Sequence, residues 1–316
     1  MKSHISKSLK GEYVFYKNGV EVMRSANLIT NNGKENFINY LSKSSSDYAS
    51  KIVLGVGGTA PAATNEFLGF EIFPLAVMNR TVDYSKTPTQ VVFRATIPAT
   101  FDGVIYEAGL TTFGGSVSNT DVNSNEELIA TFDDNFEPWT TSANVVFHSN
   151  DLEGTPRLRI GNSGLQITAA ASSSVQSSNS SVIIPKYVSS GDKFKAAFHV
   201  SGSIPSSIII KLEVDSSNYL TATIPASSIA LGYNVVTIDF DSLVETGAVN
   251  PTNVDTIYVT VNAGSSQSVV TMDGLRFDNY TDLQKPVLVS HSLLTSPLVV
   301  EGGTQFDIEY RLGFSI

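Results

Sequence analysis

The chain has 316 residues, of which 41% are hydrophobic, so it is long and apolar enough for two domains with full cores. Charged residues make up only 16% and the net charge is −10, which argues against general nucleic-acid binding because such a chain repels phosphate backbones. There is no cysteine, which excludes disulfides, thiolate metal sites and cysteine nucleophiles.

The N-terminal stretch MKSHISKSLKGEYVFY carries charge but lacks the apolar core of a signal peptide. No apolar run in the sequence approaches the roughly 18 residues that a membrane helix needs. We therefore expect a protein made and assembled in a cytoplasm, without insertion into a membrane.

The first elements are a hairpin and a helix. Asn18-Gly19, the preferred pair for a type I′ turn, divides the apolar stretch Gly11–Ser25 into two strands. The spacing within Lys34–Ser42 predicts the one substantial helix, after a break and cap at residues 31–33. Its expected apolar face carries Phe37, Tyr40 and Leu41.

A glycine-rich segment, Gly55–Pro61, follows the short strand Ile52–Leu54. It lacks the Lys-Ser/Thr pair and the helix of a phosphate-binding loop. We therefore expect a strand that ends in a turn with positive φ angles.

Alternating apolar residues then predict two groups of strands. The first group is Val77–Tyr84, Val91–Ile97, Val104–Leu110 and Leu128–Phe132. The second is Val182–Ile184, Lys193–Val200, Ile208–Val214, Tyr219–Ile224, Asn234–Phe240, Thr256–Val261 and Val269–Phe277. The serine-rich stretch 169–181 is expected to be an exposed loop or an edge strand.

The closing stretch, residues 287–314, reads as two strands joined by a Gly-Gly turn. In the last strand Phe306, Ile308, Tyr310 and Leu312 share one side, so this row needs a sheet to lie against. We predict that the first third of the chain supplies that sheet. The expected fold class is all-β: a split antiparallel β-sandwich with one short helix, residues 1–132 and 282–316, and an inserted β-jelly-roll sandwich, residues 133–281.

Short motifs in a fixed order carry a resemblance to a known family. They are Asn27–Thr30 (NLIT), Leu54–Pro61 (LGVGGTAP), Val92–Pro98, Ile105–Leu110 (IYEAGL), Leu288–Leu294 and Asp307–Leu312 (DIEYRL). This order resembles a domain of tailed-bacteriophage virion proteins and covers about half of the chain. The sequence departs from that pattern at His291, where arginine is common, and in the roughly 150 residues that replace a short connection.

The inserted residues resemble a jelly roll of the carbohydrate-binding-module type. The resemblance lies in Asp133–Trp139, Leu158–Ile160 and the strand Val269–Phe277. In that family the first and last strands pair, so entry and exit lie close together, as an insertion requires.

Together the two resemblances imply a structural component of a phage virion, in its tail, baseplate, collar, head decoration or fibre. The implied partners are other virion proteins, further copies of the chain with trimers favoured, and host cell-surface polysaccharide held by the jelly roll. Two alternatives stay open: a glycan-degrading enzyme with a binding module, and a free bacterial lectin or adhesin.

The candidate sites each have a structural alternative. Sugars stack on exposed aromatic rings, and the candidates for stacking are Trp139, Tyr187, Tyr219, Tyr233 and Tyr258; Trp139 could equally pack in the core, and the tyrosines along strand edges. A structural calcium ion could join the first and last strands of the jelly roll through Asp133, Asp134, Glu137 and Asp273, although Asp-Asp-Asn is also an ordinary solvated turn.

No catalytic residue is predicted. The four histidines are scattered and lack metal-binding spacing. Asp239 and Asp241 share a strand face but are expected to be solvated. Glu107, in the EAGL motif, is expected to be a structural hydrogen-bond partner at a subunit contact.

Overall fold

The computed structural model describes residues 8–44, 48–112, 128–132, 137–149, 158–181, 190–278 and 286–315. The described chain is antiparallel β-structure with one α-helix, which confirms the predicted all-β class. It divides into two compact units, Met1–Asn123 with Leu283–Ile316 (unit 1) and Ser124–Asp282 (unit 2).

The helix of unit 1 is α1, Asn31–Leu41, and its described strands are β1 Ser8–Lys17, β2 Val20–Ala26, β3 Leu28–Ile29, β4 Lys51–Gly55, β5 Glu71–Ala76, β6 Asn79–Asp83, β7 Gln90–Ile97, β8 Gly103–Thr111, β20 Leu288–Val300 and β21 Phe306–Ser315. Those of unit 2 are β9 Leu128–Ala130, β10 Val145–Ser149, β11 Ser163–Ala169, β12 Ser174–Asn179, β13 Lys193–Gly202, β14 Ser207–Asp215, β15 Asn218–Pro225, β16 Gly232–Asp239, β17 Val244–Thr246, β18 Thr256–Asn262 and β19 Ser268–Asp278.

Unit 1 is a sandwich of two five-stranded sheets, with strand orders β2-β1-β21-β7-β6 and β3-β20-β8-β4-β5. The last strand, β21, lies between β1 and β7, where Tyr310 pairs with Tyr13 on one side and Phe93 on the other. Their ring centroids lie 4.9 and 5.9 Å from that of Tyr310, in the core. The prediction that the end of the chain joins strands from its first third is therefore confirmed.

Strands β8 and β20 are antiparallel neighbours, although a whole unit separates them in sequence. Thr111 lies opposite Leu288, and the Thr112 N–H donates to the Val287 carbonyl oxygen at 3.1 Å. Unit 2 is therefore inserted at the end of a strand pair that a short turn could close.

Helix α1 begins at a threonine cap. The Thr30 hydroxyl accepts from the Gly33 N–H at 2.9 Å and donates to the Leu288 carbonyl oxygen at 2.5 Å. A Cβ at Gly33 would lie 2.1 Å from the Val289 carbonyl oxygen, so only glycine allows the helix to approach β20 this closely.

The predicted apolar face of the helix is confirmed only for Phe37, which packs against the core of unit 1 with its ring centroid 5.6 Å from that of Tyr48. Gly33 and Asn36 are the buried residues of the helix, and the Asn36 amide donates to the Tyr48 carbonyl oxygen at 2.8 Å. Tyr40 and Leu41, which were expected to face the core, are 45% and 65% exposed. The space beside β20 admits backbone and small groups rather than large side chains.

Unit 2 is a sandwich of a six-stranded sheet, β10-β11-β19-β13-β16 with β9 beside β19, and a five-stranded sheet, β12-β18-β14-β15-β17. Alternate residues of the central strands, such as Phe198 and Ile210, are fully buried between the sheets. The serine-rich stretch forms the edge strand β12, one of its two predicted structures. The predicted strand Val182–Ile184 lies outside the described residues.

Strand β9 belongs to unit 2, not to the first group of strands as predicted. Ala130 pairs with Leu275 of β19, and Ile129 and Ala130 join the core of unit 2. The prediction was wrong because three apolar residues fit either sheet, and only the pairing partner distinguishes the two.

Candidate functional site

In unit 1 three of the six motifs, LGVGGTAP, IYEAGL and Leu288–Leu294, meet at the carboxylate of Glu107, which is fully buried in β8. Its Oε1 accepts from the N–H groups of Gly57 and Phe70, both at 2.8 Å. Its Oε2 accepts from the Gly69 N–H at 2.9 Å and lies 3.0 Å from His291 Nε2. Glu107 therefore joins a glycine-rich loop to β20, which supports the structural role expected for it; a fully buried side chain cannot itself form a subunit contact.

The glycines of the loop make room for this carboxylate. A Cβ at Gly55 or Gly57 would lie 2.5 or 2.4 Å from Glu107 Oε1. Neither residue has a positive φ angle, so the expectation of a left-handed turn was wrong. Glycine is needed here because the backbone passes directly against a buried side chain.

Both ring nitrogens of His291 face acceptors. Nε2 is bonded to Glu107, and Nδ1 lies 3.0 Å from Asn65 Oδ1. That oxygen must be an acceptor because it also receives the Ala62 N–H at 2.6 Å. His291 therefore links β20 both to the Glu107 carboxylate and to the Asn65 side chain.

Burial alone would raise the pKa of Glu107. The hydrogen bond and charge of His291, together with the N–H groups of Phe70 and Gly69, outweigh burial and hold the pKa below its ordinary value. Glu107 is therefore a fixed anion rather than a proton donor.

In unit 2 the single tryptophan lies in the core. Trp139 is 5% exposed, and its ring stacks on Phe132 with centroids 4.6 Å apart. Its Nε1 donates to Glu137 Oε2 at 2.7 Å, and the same carboxylate accepts from the N–H groups of Thr131 and Phe132. Trp139 is therefore packed in the core, which was the alternative to sugar stacking, and it offers no ring face to a sugar.

Two of the predicted tyrosines lie together on the outer face of the five-stranded sheet. Tyr219 and Tyr258, both half-buried, flank Lys211, whose Nζ lies 5.1 and 4.1 Å from their ring centroids. Lys211 forms an ion pair with Glu213, which accepts from the Tyr258 hydroxyl at 3.2 Å. This face, with neighbouring Thr221, combines aromatic, charged and hydroxyl groups; we call Tyr219, Lys211 and Tyr258 the tyrosine platform.

Tyr233 lies on the opposite sheet, so the predicted tyrosines do not form one site. Its hydroxyl donates to Asp273 Oδ2 at 2.5 Å, and its ring packs against the Arg159 guanidinium at 3.8 Å. The backbone N–H groups of Arg159 and Ile160 also donate to Asp273. Tyr187 lies outside the described residues.

Two of the four predicted calcium ligands, Glu137 and Asp273, lie in the described residues. Each directs both carboxylate oxygens at protein N–H or O–H donors, and the calcium site itself stays a prediction. Asp133 and Asp134 lie outside the described residues. Across the described ranges no three acidic, histidine or cysteine side chains are grouped to hold a metal.

A buried ion-pair cluster in unit 2 was not predicted. Asp278 is paired with both Lys195 and Arg276, with 2.6 Å from Arg276 Nε to Asp278 Oδ1, and all three side chains are 4% exposed or less. Burial alone would raise the pKa of Asp278, but the two cations hold it below its ordinary value. In β13 and β19 these residues alternate with core residues, so the sequence places them on the face of the sheet that points away from the core. Charged side chains on such a face are usually solvated, which is why the cluster was not predicted.

Both predicted surface carboxylates are exposed, but they do not share a strand face as predicted, because Asp239 ends β16 and Asp241 lies in the turn that follows. Asp239 pairs with Lys193 at the surface, and Asp241 accepts from Ser190 and Gly191 at 3.0 Å. Neither arrangement supplies an acid–base pair.

Asp273 gives unit 2 a distinctive pH dependence. Burial raises the pKa of Asp273 to about 7, against the pull of its three donors. Between about pH 4 and 7 the folded state therefore holds a proton that the unfolded state has lost. Stability should fall as pH rises through this range, by up to about 1.4 kcal/mol per pH unit.

Replacing Asp273 with asparagine should remove this slope. The measurement is urea unfolding followed by Trp139 fluorescence at several pH values, since the only tryptophan reports unit 2 alone. An equal slope in the wild type and the variant would contradict the assignment.

No protein-family model matches the chain, and no curated protein matches its sequence. Among solved structures, a family 11 carbohydrate-binding module from Clostridium thermocellum, in complex with a β-1,3-1,4-mixed-linked tetrasaccharide, has 13% identity and a TM-score of 0.33, covering 48% of this chain and 94% of the module. TmCBM61 in complex with β-1,4-galactotriose has 12% identity and a TM-score of 0.29, covering 48% and 99%. An exo-β-agarase has 10% identity and a TM-score of 0.31, covering 49% and 26%. Similarities this low carry no argument about ligand or activity.

In the described part of the chain, no helix is long and apolar enough to cross a membrane.

Proposed function

We propose that this protein is a structural component of a tailed-phage virion. Unit 1 anchors it to the particle, and unit 2 holds polysaccharide of the host cell surface without cleaving it. The observation that carries the proposal is the convergence of the phage-like motifs on Glu107.

That convergence gives the motif order a physical reason. Gly57 of the LGVGGTAP motif and His291 of the closing stretch, which lie 50 and 184 positions from Glu107 of the EAGL motif, both contact its buried carboxylate. A chance collection of short motifs has no cause to share a hydrogen-bond network. The proposed partners are other virion proteins and further copies of this chain, with a trimer favoured.

The tyrosine platform is the proposed glycan-binding face. Its rings are half-exposed, in contrast to Trp139, and hydroxyl groups surround them. Tyrosine rings pack against the C–H faces of sugars while lysine and carboxylate groups bond their hydroxyls. Many copies on one particle would convert weak binding into avidity.

The anchoring role is tested on purified particles of the phage whose genome encodes this chain. Mass spectrometry should find the protein in washed particles at a copy number fixed relative to the other structural proteins. Its absence from washed particles would remove the proposal and favour a free lectin.

The glycan role is tested with host surface polysaccharide and the variants Tyr219→Ala and Tyr258→Ala. Each should weaken binding about tenfold, since a lost ring contact removes roughly 1 kcal/mol or more. Tyr84→Ala is the matched control, because this tyrosine is 81% exposed in unit 1. Unchanged binding in both platform variants, or release of reducing sugar by the wild type, would contradict the role.

A further inference from the structure

A cavity of about 390 Å³ lies in unit 1, whereas the tyrosine platform belongs to unit 2. Its outer walls come from the β1–β2 turn, the start of β21, β7 and the residues that begin β6. It is lined by Tyr16, Gly19, Met78, Asn79, Arg94, Ala95, Thr96, Asp307, Ile308 and Glu309. Its volume lies within the roughly 300–1,000 Å³ of small-molecule sites. We infer that this cavity binds one unit of a neutral saccharide.

The polar groups of the cavity are held in place by one another. Arg94 Nε donates to Glu309 Oε1 at 2.8 Å, and Tyr16 donates to Glu309 Oε2 at 3.2 Å. Asp307 Oδ1 accepts from the Thr96 hydroxyl at 2.6 Å. These side chains are therefore ordered before a ligand arrives, which lowers the entropy cost of binding.

The charged groups that line the cavity are one guanidinium, Arg94, and two carboxylates, so an anion gains nothing from the local field. Both carboxylates already have partners: Glu309 is paired with Arg94 and with Arg311 beside the cavity, at 2.8 and 2.7 Å. Asp307 accepts from Thr96 and Gln305, which reduces the attraction for a cation. A neutral ligand rich in hydroxyl groups uses donors and acceptors alike.

Two groups remain available for direct contact with a ligand. The Arg94 side chain is 47% exposed and has two terminal amino groups besides the Nε that bonds Glu309, and Asn79 is an exposed residue of the lining. Planar guanidinium and amide groups can each bond two adjacent hydroxyls. Met78, which is 75% exposed, provides an apolar wall for the C–H face of a sugar ring.

The inference is independent of glycan binding by unit 2, and the test separates them. Saturation-transfer NMR would be recorded on the full chain with methyl hexosides of glucose, galactose and mannose at about 10 mM, a range suited to millimolar affinities. Glucuronate and glucosamine serve as charged comparators. At least one neutral hexoside should bind, and neither charged sugar should bind more tightly.

Asn79→Ala should weaken that binding about tenfold and leave the Arg94–Glu309 pair intact, so a folding defect is not expected. Arg94→Ala should weaken it at least as much. Arg24→Ala, which removes a surface cation paired with Glu12 and Glu21 outside the cavity, should change nothing. Absence of binding to any neutral hexoside, preference for a charged sugar, or full binding in Asn79→Ala would overturn the inference; in the last case the sugar sits elsewhere and the role of unit 2 still stands.

Discussion

Replacing Glu107 with alanine is expected to unfold unit 1 and leave unit 2 folded. The change removes the carboxylate that accepts from three backbone N–H groups, and it also removes the buried contact of that carboxylate with His291. Such losses cost about 1–3 kcal/mol for each stranded donor, so a total on the order of 5 kcal/mol is expected. Hydrogen exchange by mass spectrometry should show lost protection in β8 and β20, while Trp139 fluorescence stays native.

The isosteric variant Glu107→Gln separates charge from volume. In this variant an NH₂ group replaces one carboxylate oxygen and faces protein donors with no acceptor between them. Glu107→Gln should therefore destabilise unit 1 nearly as much as Glu107→Ala does. Glu12→Gln, at an exposed ion pair, should cost less than about 1 kcal/mol. A Glu107→Gln variant as stable as the wild type would show that the network is not what holds the loop.

Because the pKa of Glu107 is lowered, the stabilisation that this network gives to unit 1 should be lost at acidic pH. Its folded-state pKa lies below the unfolded value, so its stabilisation is present above the unfolded pKa of about 4.3 and is lost as pH falls through the folded pKa. Protection of β8 and β20 should decline at acidic pH before that of the core strands in unit 2.

The second large effect is expected in unit 2. Asp278→Ala removes the carboxylate with which both buried cations, Lys195 and Arg276, are paired; breaking a buried ion pair in this way costs about 3–5 kcal/mol. Trp139 fluorescence should report a correspondingly lower urea midpoint.

Asp239→Ala is the matched control in unit 2. Asp239 also pairs with a lysine of β13, but it is 64% exposed, so its loss should cost less than about 1 kcal/mol. Equal effects of the two variants would mean that burial of the cluster is not what makes Asp278 important.

Local patterns in the sequence predict much of the fold. The alternation from Phe306 to Leu312 predicts a strand buried on one face, and the structure lays it between β1 and β7. Asn18-Gly19 forms the predicted turn, with positive φ angles at both residues. Each of these features depends on residues that are close in the chain.

Features that depend on distant partners were not predictable in the same way. From the sequence alone Gly57 would be assigned to a turn, and only the structure shows that Glu107 packs against it. Lys195 would likewise be assigned to the solvated surface, and only the structure shows that it pairs with Asp278. The chain did contain one clue: Glu107 is the lone charge in an otherwise apolar strand, which is typical of a buried and fully bonded carboxylate.

The candidate glycan site was predictable by residue type but not by grouping. Of the described candidates, Trp139 is in the core, Tyr219 and Tyr258 share a face, and Tyr233 lies on the other sheet. Which tyrosines meet is decided by strand order, which no local pattern encodes.

The central claim is that one domain is built from both ends of the chain and that unit 2 is an insertion between β8 and β20. Its most direct test replaces residues 113–286 with Asn-Gly, so that the paired ends at Thr112 and Val287 close as a hairpin. We predict a soluble β-protein with cooperative unfolding and slow hydrogen exchange in β8, β20 and β21. An unfolded or aggregated product without protection in these strands would contradict the account.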